Sequence, residues 1–114
     1  MRKALIWTYI LDGHTPIPCE DEKKWSHWMA STDVRIRYDT FGENEVSTVF
    51  LGLNHNFSGC GEPILFETCI LSGVLQGELR RYETWEAAEV GHAEIVDRIK
   101  ARGPLIESTD GRAL

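Results

Sequence analysis

A chain of 114 residues, 42 % apolar and 26 % charged, has the length and composition of one compact domain and excludes wholesale disorder or two ordinary domains. Its formal net charge of -6 excludes a sequence-independent nucleic-acid binder: neutralising phosphates needs clustered Lys and Arg, and the pairs Lys23-Lys24 and Arg80-Arg81 stand alone. Cys19, Cys60 and Cys69 are odd in number and lack CxxC spacing, so neither a disulfide framework nor a zinc knuckle is implied and reduced thiols are expected.

In chain order, MRKALIWTYIL carries a basic tip and then eight uncharged residues, but no small-residue cleavage site comes after it, so residues 4–11 are expected to form a strand rather than a signal peptide. The run lacks polar alternation, which predicts a strand covered on both faces. Two prolines and a glycine in residues 12–18 predict a loop. Glu20-Asp21-Glu22 before Lys23-Lys24 complements a helix dipole, and Trp25, Trp28 and Met29 fall at i, i+3, i+4. This pattern predicts a short helix over about residues 20–30, laid on the core by its two Trp.

VRIRY alternates, putting Val34, Ile36 and Tyr38 on one face of a half-exposed strand and Arg35 and Arg37 on the other. After the turn sequence FGENE, the runs 46–53 and 64–71 predict two core strands, paired antiparallel because they are neighbours in the chain. A hairpin symmetric about the loop 54–63 would set Glu67 opposite Phe50. A further edge strand is expected at 78–82. The clearest element is a helix opening on Thr84 as N-cap, with Trp85, Ala88, His92, Ile95 and Ile99 as an apolar stripe and Gly103-Pro104 as its stop. Gly91 in its middle costs about 1 kcal/mol relative to Ala, which predicts close approach of another backbone. The expected fold is α+β: an antiparallel sheet of about five strands, the long C-terminal helix on one face, and the short Trp helix after strand 1. Residues 1–104 would form the domain and 105–114 a loose tail. No apolar run approaches the roughly 20 residues that a membrane span requires.

Chemistry is hinted at only weakly. Glu67 sits among Leu65, Phe66, Cys69 and Ile70, so it either lies on an exposed strand face, pairs with Arg35, Arg37 or Arg81, or is a functional acid. His55, in Asn54-His55-Asn56 at the end of a core strand, reads as a turn residue or a binding residue. His92 on an apolar stripe reads as a core histidine with one hydrogen-bond partner. Asp12, His14, His55, Glu67 and His92 could together serve a metal or acid-base site, but HxH, HExxH and HxxxH spacings are all lacking. Cys60 between two glycines is expected to be accessible, yet no nucleophile elbow or cysteine-protease signature surrounds it.

The blocks YILDG with P-x-P and W-x-x-W, then STVFLGLNH-x-F, LFET and RYETWEAAEVGH, resemble a widespread group of small phage and prophage proteins. The resemblance covers about residues 7–99. No catalytic residue carries over from that group, and Cys69, commonly Met there, and Cys60 depart from its pattern. It implies a phage or prophage product working in the cytoplasm of the bacterial host; separately, no cofactor and no bound metal are expected. On this basis the chain is expected to be an accessory protein that binds a host or phage protein, inhibition of a bacterial defence system being one form of that role. The expected binding residues are Asn54, His55, Asn56 and Phe57 of the loop, Arg35 and Arg37 of VRIRY, Glu67, Arg81, and Trp25 and Trp28 if exposed. A homodimer is compatible with the sequence; membrane binding is not expected. The alternatives are a nucleotide-like small-molecule binder or sponge using His55, Glu67 and Arg81, and a small hydrolase or metal enzyme using His55 and Glu67.

Overall fold

The computed structural model describes residues 6–107 and consists of β1 (Tyr9–Asp12), β2 (Thr15–Pro18), α1 (Glu22–Ser31), β3 (Arg35–Phe41), β4 (Asn44–Phe50), β5 (Phe66–Ser72), β6 (Leu79–Tyr82) and α2 (Trp85–Glu107). Strands β3-β4-β5-β6 form one antiparallel sheet in chain order, and β1-β2 form a separate two-stranded sheet. The α+β architecture is as expected, but the five-stranded sheet is not. Strand β1 pairs with β2 and is joined to the chain after β4 by the Thr8–Leu53 bridge, by the Tyr9 N–H to Gly52 carbonyl hydrogen bond at 2.9 Å and by the Asn54 N–H to Trp7 carbonyl hydrogen bond at 2.8 Å, while Tyr9 and Leu11 pack against the core of the larger sheet.

Strand β2 replaces the loop expected from Pro16 and Pro18. Proline is excluded only where its N–H would be needed, and along a strand alternate N–H groups point to the same side. Register pairs Ile17 with Ile10 and Thr15 with Asp12, and Cys19 N–H reaches the Thr8 carbonyl at 2.9 Å, so the odd-numbered residues face β1 and both prolines turn their missing donors outward. Gly13, with φ 63, opens the two-residue turn that makes this hairpin tight, and Gly42, φ 59, does the same between β3 and β4. Trp7 is exposed on the approach to β1, so the first strand is not covered on both faces as predicted.

Asp21 caps α1, its Oδ1 accepting from Lys23 and Lys24 N–H at 3.1 Å each. Trp25 and Trp28 are half-buried rather than exposed. The Trp25 indole N–H is shared between the carbonyls of Tyr9 at 3.1 Å and Gly52 at 3.2 Å, and Trp28 meets Phe50 edge-on at 5.8 Å between centroids. These contacts lock α1 against β1 and the exit of β4.

One face of the four-stranded sheet carries Val46, Thr48, Phe50, Phe66, Thr68, Ile70 and Tyr82, and α2 covers it with Ala88, His92, Ile95, Val96 and Ile99. The apolar stripe of α2 is therefore as predicted. Thr84 Oγ1 accepts from Ala87 N–H at 3.0 Å at its start. Its end is not as predicted: the helix continues through Gly103-Pro104 to Glu107, since a proline deletes one bond of the ladder without forbidding helical dihedrals in the residues after it. The part of the expected tail beyond 107 lies outside the described residues. Gly91 answers to a side chain rather than a backbone, because a Cβ there would overlap the Tyr82 ring.

The opposite face is open. A register shift between Arg35 and Arg37 breaks the alternation of VRIRY: Arg35 pairs with Val49, Arg37 with Thr48 and Tyr38 with Ser47. Val34 and Ile36 pack on the core, as the pattern predicts, while the bulge returns Tyr38 to the face of Arg35. Pairing of β4 with β5 is one residue off the symmetric estimate, with Glu67 opposite Val49 and Phe66 opposite Phe50. That single step places Phe66 in the core and Glu67 on the open face.

Candidate functional site

Between an apolar cluster of Val46, Ile70, Leu75, Ile95, Val96 and Ile99 and a second of Phe50, Leu65, Phe66, Tyr82 and Ala88 lies a polar layer. Tyr82 OH donates to Thr68 Oγ1 at 3.0 Å, Thr68 and Thr48 hydroxyls meet at 2.5 Å, Thr48 Oγ1 lies 2.6 Å from His92 Nδ1, and His92 Nε2 lies 2.7 Å from Asp39 Oδ2. One orientation satisfies every member. Each hydroxyl donates to the next, from Tyr82 through Thr68 and Thr48 to Nδ1, and the Nε2 proton is donated to the Asp39 carboxylate. Asp39, His92 and Thr48 thereby share the connectivity of an orienting acid, a base and a hydroxyl nucleophile. Access decides against that chemistry: Thr48, Thr68 and His92 are fully buried, and only Asp39 reaches water, its side chain 42 % exposed. The layer ties α2 to all four strands of the sheet and is a structural device. A histidine on the helix stripe and threonines at inward strand positions are its signal in the sequence. The expectation of a core histidine holds, with two side-chain partners rather than one.

On the open face, Arg81 Nε donates to Glu67 Oε2 at 2.9 Å across the β5-β6 pair, and the Glu67 side chain is 18 % exposed. Among the readings open for Glu67, the pair with Arg81 is the one formed. The Arg35 guanidinium lies 4.1 Å from the Tyr38 ring centroid, and the Tyr38 hydroxyl donates to Glu45. Its phenol is held above the ordinary value, first by that hydrogen bond. Arg35, Glu67 and Arg81 are thus each engaged within the face, and Arg37 is exposed on the edge strand β3.

The loop after β4 is organised differently. Asn54 Oδ1 accepts from Asn56 N–H at 2.8 Å and Ile64 N–H at 3.0 Å. Asn56 Nδ2 donates to the carbonyls of Cys60 and Glu62 at 2.8 Å each, and its Oδ1 accepts from Ser58 N–H at 3.1 Å and Ser58 Oγ at 2.6 Å. Polar groups expected to face a partner are spent on the loop itself. What the loop turns outward is apolar: Phe57, 74 % exposed, stacks on Trp7 at 5.9 Å, with Trp7 39 % and Leu53 42 % exposed beside it. His55 borders the group, its Nδ1–H donating to the Leu53 carbonyl at 2.9 Å and its ring 5.8 Å from Phe57. Nothing in the sequence singles out Trp7, because a strand-forming run hides which side will be left bare. Asn56→Ala is expected to loosen the loop while sparing the sheet, raising hydrogen exchange at Ser58 and Cys60 by about tenfold or more for the loss of side-chain bonds worth about 1 kcal/mol each. Unchanged exchange there would mean that Asn56 does not hold the loop.

Beside this surface Tyr9, Pro16, Glu62, Pro63, Leu65 and Glu83 line an open cleft of about 160 Å3. Burial, and then the nearby Glu62 carboxylate, raise the Tyr9 phenol above its ordinary value.

His55, Glu67 and His92 do not converge: one is in the loop, one on the open face, one under α2, and they share no partner. His14 stacks on Trp85 with centroids 3.8 Å apart instead of joining Asp12 in a polar cluster. Among the described residues no three His, Cys, Asp or Glu side chains form a metal-binding group, and no helix is long and apolar enough to cross a membrane. Cys60 is exposed, as expected, and its thiol neighbours Ser58 Oγ at 3.8 Å rather than a histidine. Comparison with family models, curated proteins and solved structures found no match for this chain.

Proposed function

We propose that the protein is a binding module that docks on another protein through Trp7, Leu53 and Phe57. Phe57 carries this reading: a phenylalanine 74 % exposed costs solubility unless a partner covers it, and here it is held out by a loop braced from within. Bracing means little order is lost on binding, and exposed aromatic anchors are where interface energy concentrates. The partner implied by the sequence resemblance is a host or phage protein, with a bacterial defence component one such target; a second copy of the chain is the competing occupant.

Affinity capture from a bacterial host extract followed by mass spectrometry tests it. A partner recovered by the wild type is expected to be lost, by about tenfold or more in affinity, with Phe57→Ser, since removing an aromatic anchor costs about 2 kcal/mol or more. Equal recovery by that variant, or a bound metabolite in place of a protein, would count against the reading. The cleft of about 160 Å3 is smaller than the ~300–1,000 Å3 usual for small-molecule sites, so this cleft by itself lends no support to a sponge.

A further inference from the structure

We infer that the cleft beside the aromatic surface receives an arginine side chain of the protein partner, an inference that rests on the docking role proposed for Phe57. Tyr9, Pro16, Pro63 and Leu65 line the cleft together with two charged residues, Glu62 and Glu83, and polar atoms make up the larger part of its surface. Neither carboxylate has an ion-pair or hydrogen-bond partner among the described residues, unlike Glu67, Glu78 and Glu94, which are engaged by Arg81, Arg98 and Arg80. Within the cleft the Tyr9 phenol is raised first by burial and then by the Glu62 carboxylate. No cationic side chain of the described chain enters to neutralise the two carboxylates.

Size and shape narrow the occupant. At about 30 Å3 per water the space of about 160 Å3 corresponds to roughly five waters, the scale of one long side chain rather than a cofactor. A planar, weakly hydrated guanidinium stacks on aromatic and prolyl surfaces while its edge donates to carboxylates, which a compact ammonium does less well. Tyr9 lies two residues from Trp7 on the same extended run, so an arginine in the cleft and an apolar residue against Trp7 and Phe57 can come from one short segment of the partner.

The test uses ethylguanidinium chloride as the probe, titrated into the labelled protein at constant ionic strength and followed through amide chemical shifts, with neutral N-ethylurea as control. Saturable shifts at Tyr9, Glu62, Leu65 and Glu83 are expected with the wild type and with Phe57→Ser, and E62Q/E83Q is expected to weaken them about tenfold or more. The single variants E62Q and E83Q give the same readout should the pair not fold. Absence of localised shifts, equal shifts from ethylurea, or undiminished binding by E62Q/E83Q would overturn the arginine site. None of these touches the docking role, which stands or falls on capture by Phe57→Ser.

Discussion

Replacing His92 by alanine is expected to lower the unfolding free energy by about 3–5 kcal/mol, since it combines a cavity in a close-packed core with the orphaning of a buried hydroxyl. The ring is fully buried and joins Thr48 to Asp39, so its loss leaves Thr48 with no acceptor beyond Thr68. Thr48→Val separates the two contributions, because valine nearly preserves the volume while removing the middle hydroxyl of the chain. It should cost about 1–3 kcal/mol through the unpaired Thr68 hydroxyl and His92 Nδ1. Chemical denaturation with an unchanged slope against denaturant reads both. Wild-type stability in Thr48→Val would show that the hydroxyl chain is not what joins helix to sheet.

Gly91→Ala runs against helix propensity. Alanine is worth about 1 kcal/mol over glycine in a helix interior, yet the new Cβ would overlap the Tyr82 ring. Tyr82 cannot simply withdraw, being buried and donating to Thr68. A net loss of about 2 kcal/mol is expected from overpacking. The mechanism is tested by a double-mutant cycle: in a Tyr82→Leu background Gly91→Ala should cost less, with a coupling of about 1 kcal/mol or more. Additive effects would place the strain elsewhere.

Elements with strong local patterns were legible in the sequence. The stripe from Trp85 to Ile99 marked α2, the apolar runs marked β4 and β5, and the charges around Asp21 marked the start of α1. What escaped depends on contacts between distant residues. Whether Pro16 and Pro18 break a strand is decided by which side β1 occupies, and a single bulge before Arg37 moves Tyr38 across the sheet. The register of β4 on β5 differs by one residue from the symmetric estimate, enough to exchange Phe66 for Glu67 at the core. The loop 54–63 was legible as a surface feature, but not the inward turn of Asn54 and Asn56 that leaves Phe57 bare.

The outward prolines of β2 bear on how a partner can approach. Their edge offers no N–H at residues 16 and 18, so an extended segment cannot zip onto the small sheet by main-chain pairing, and association there is directed away from strand addition. Phe57, stacked on the residue that leads into β1, needs no backbone complement. On the proposed docking role, recognition by this part of the molecule would be written in side chains, and a partner would be chosen by its pockets and residues rather than by its willingness to form a strand.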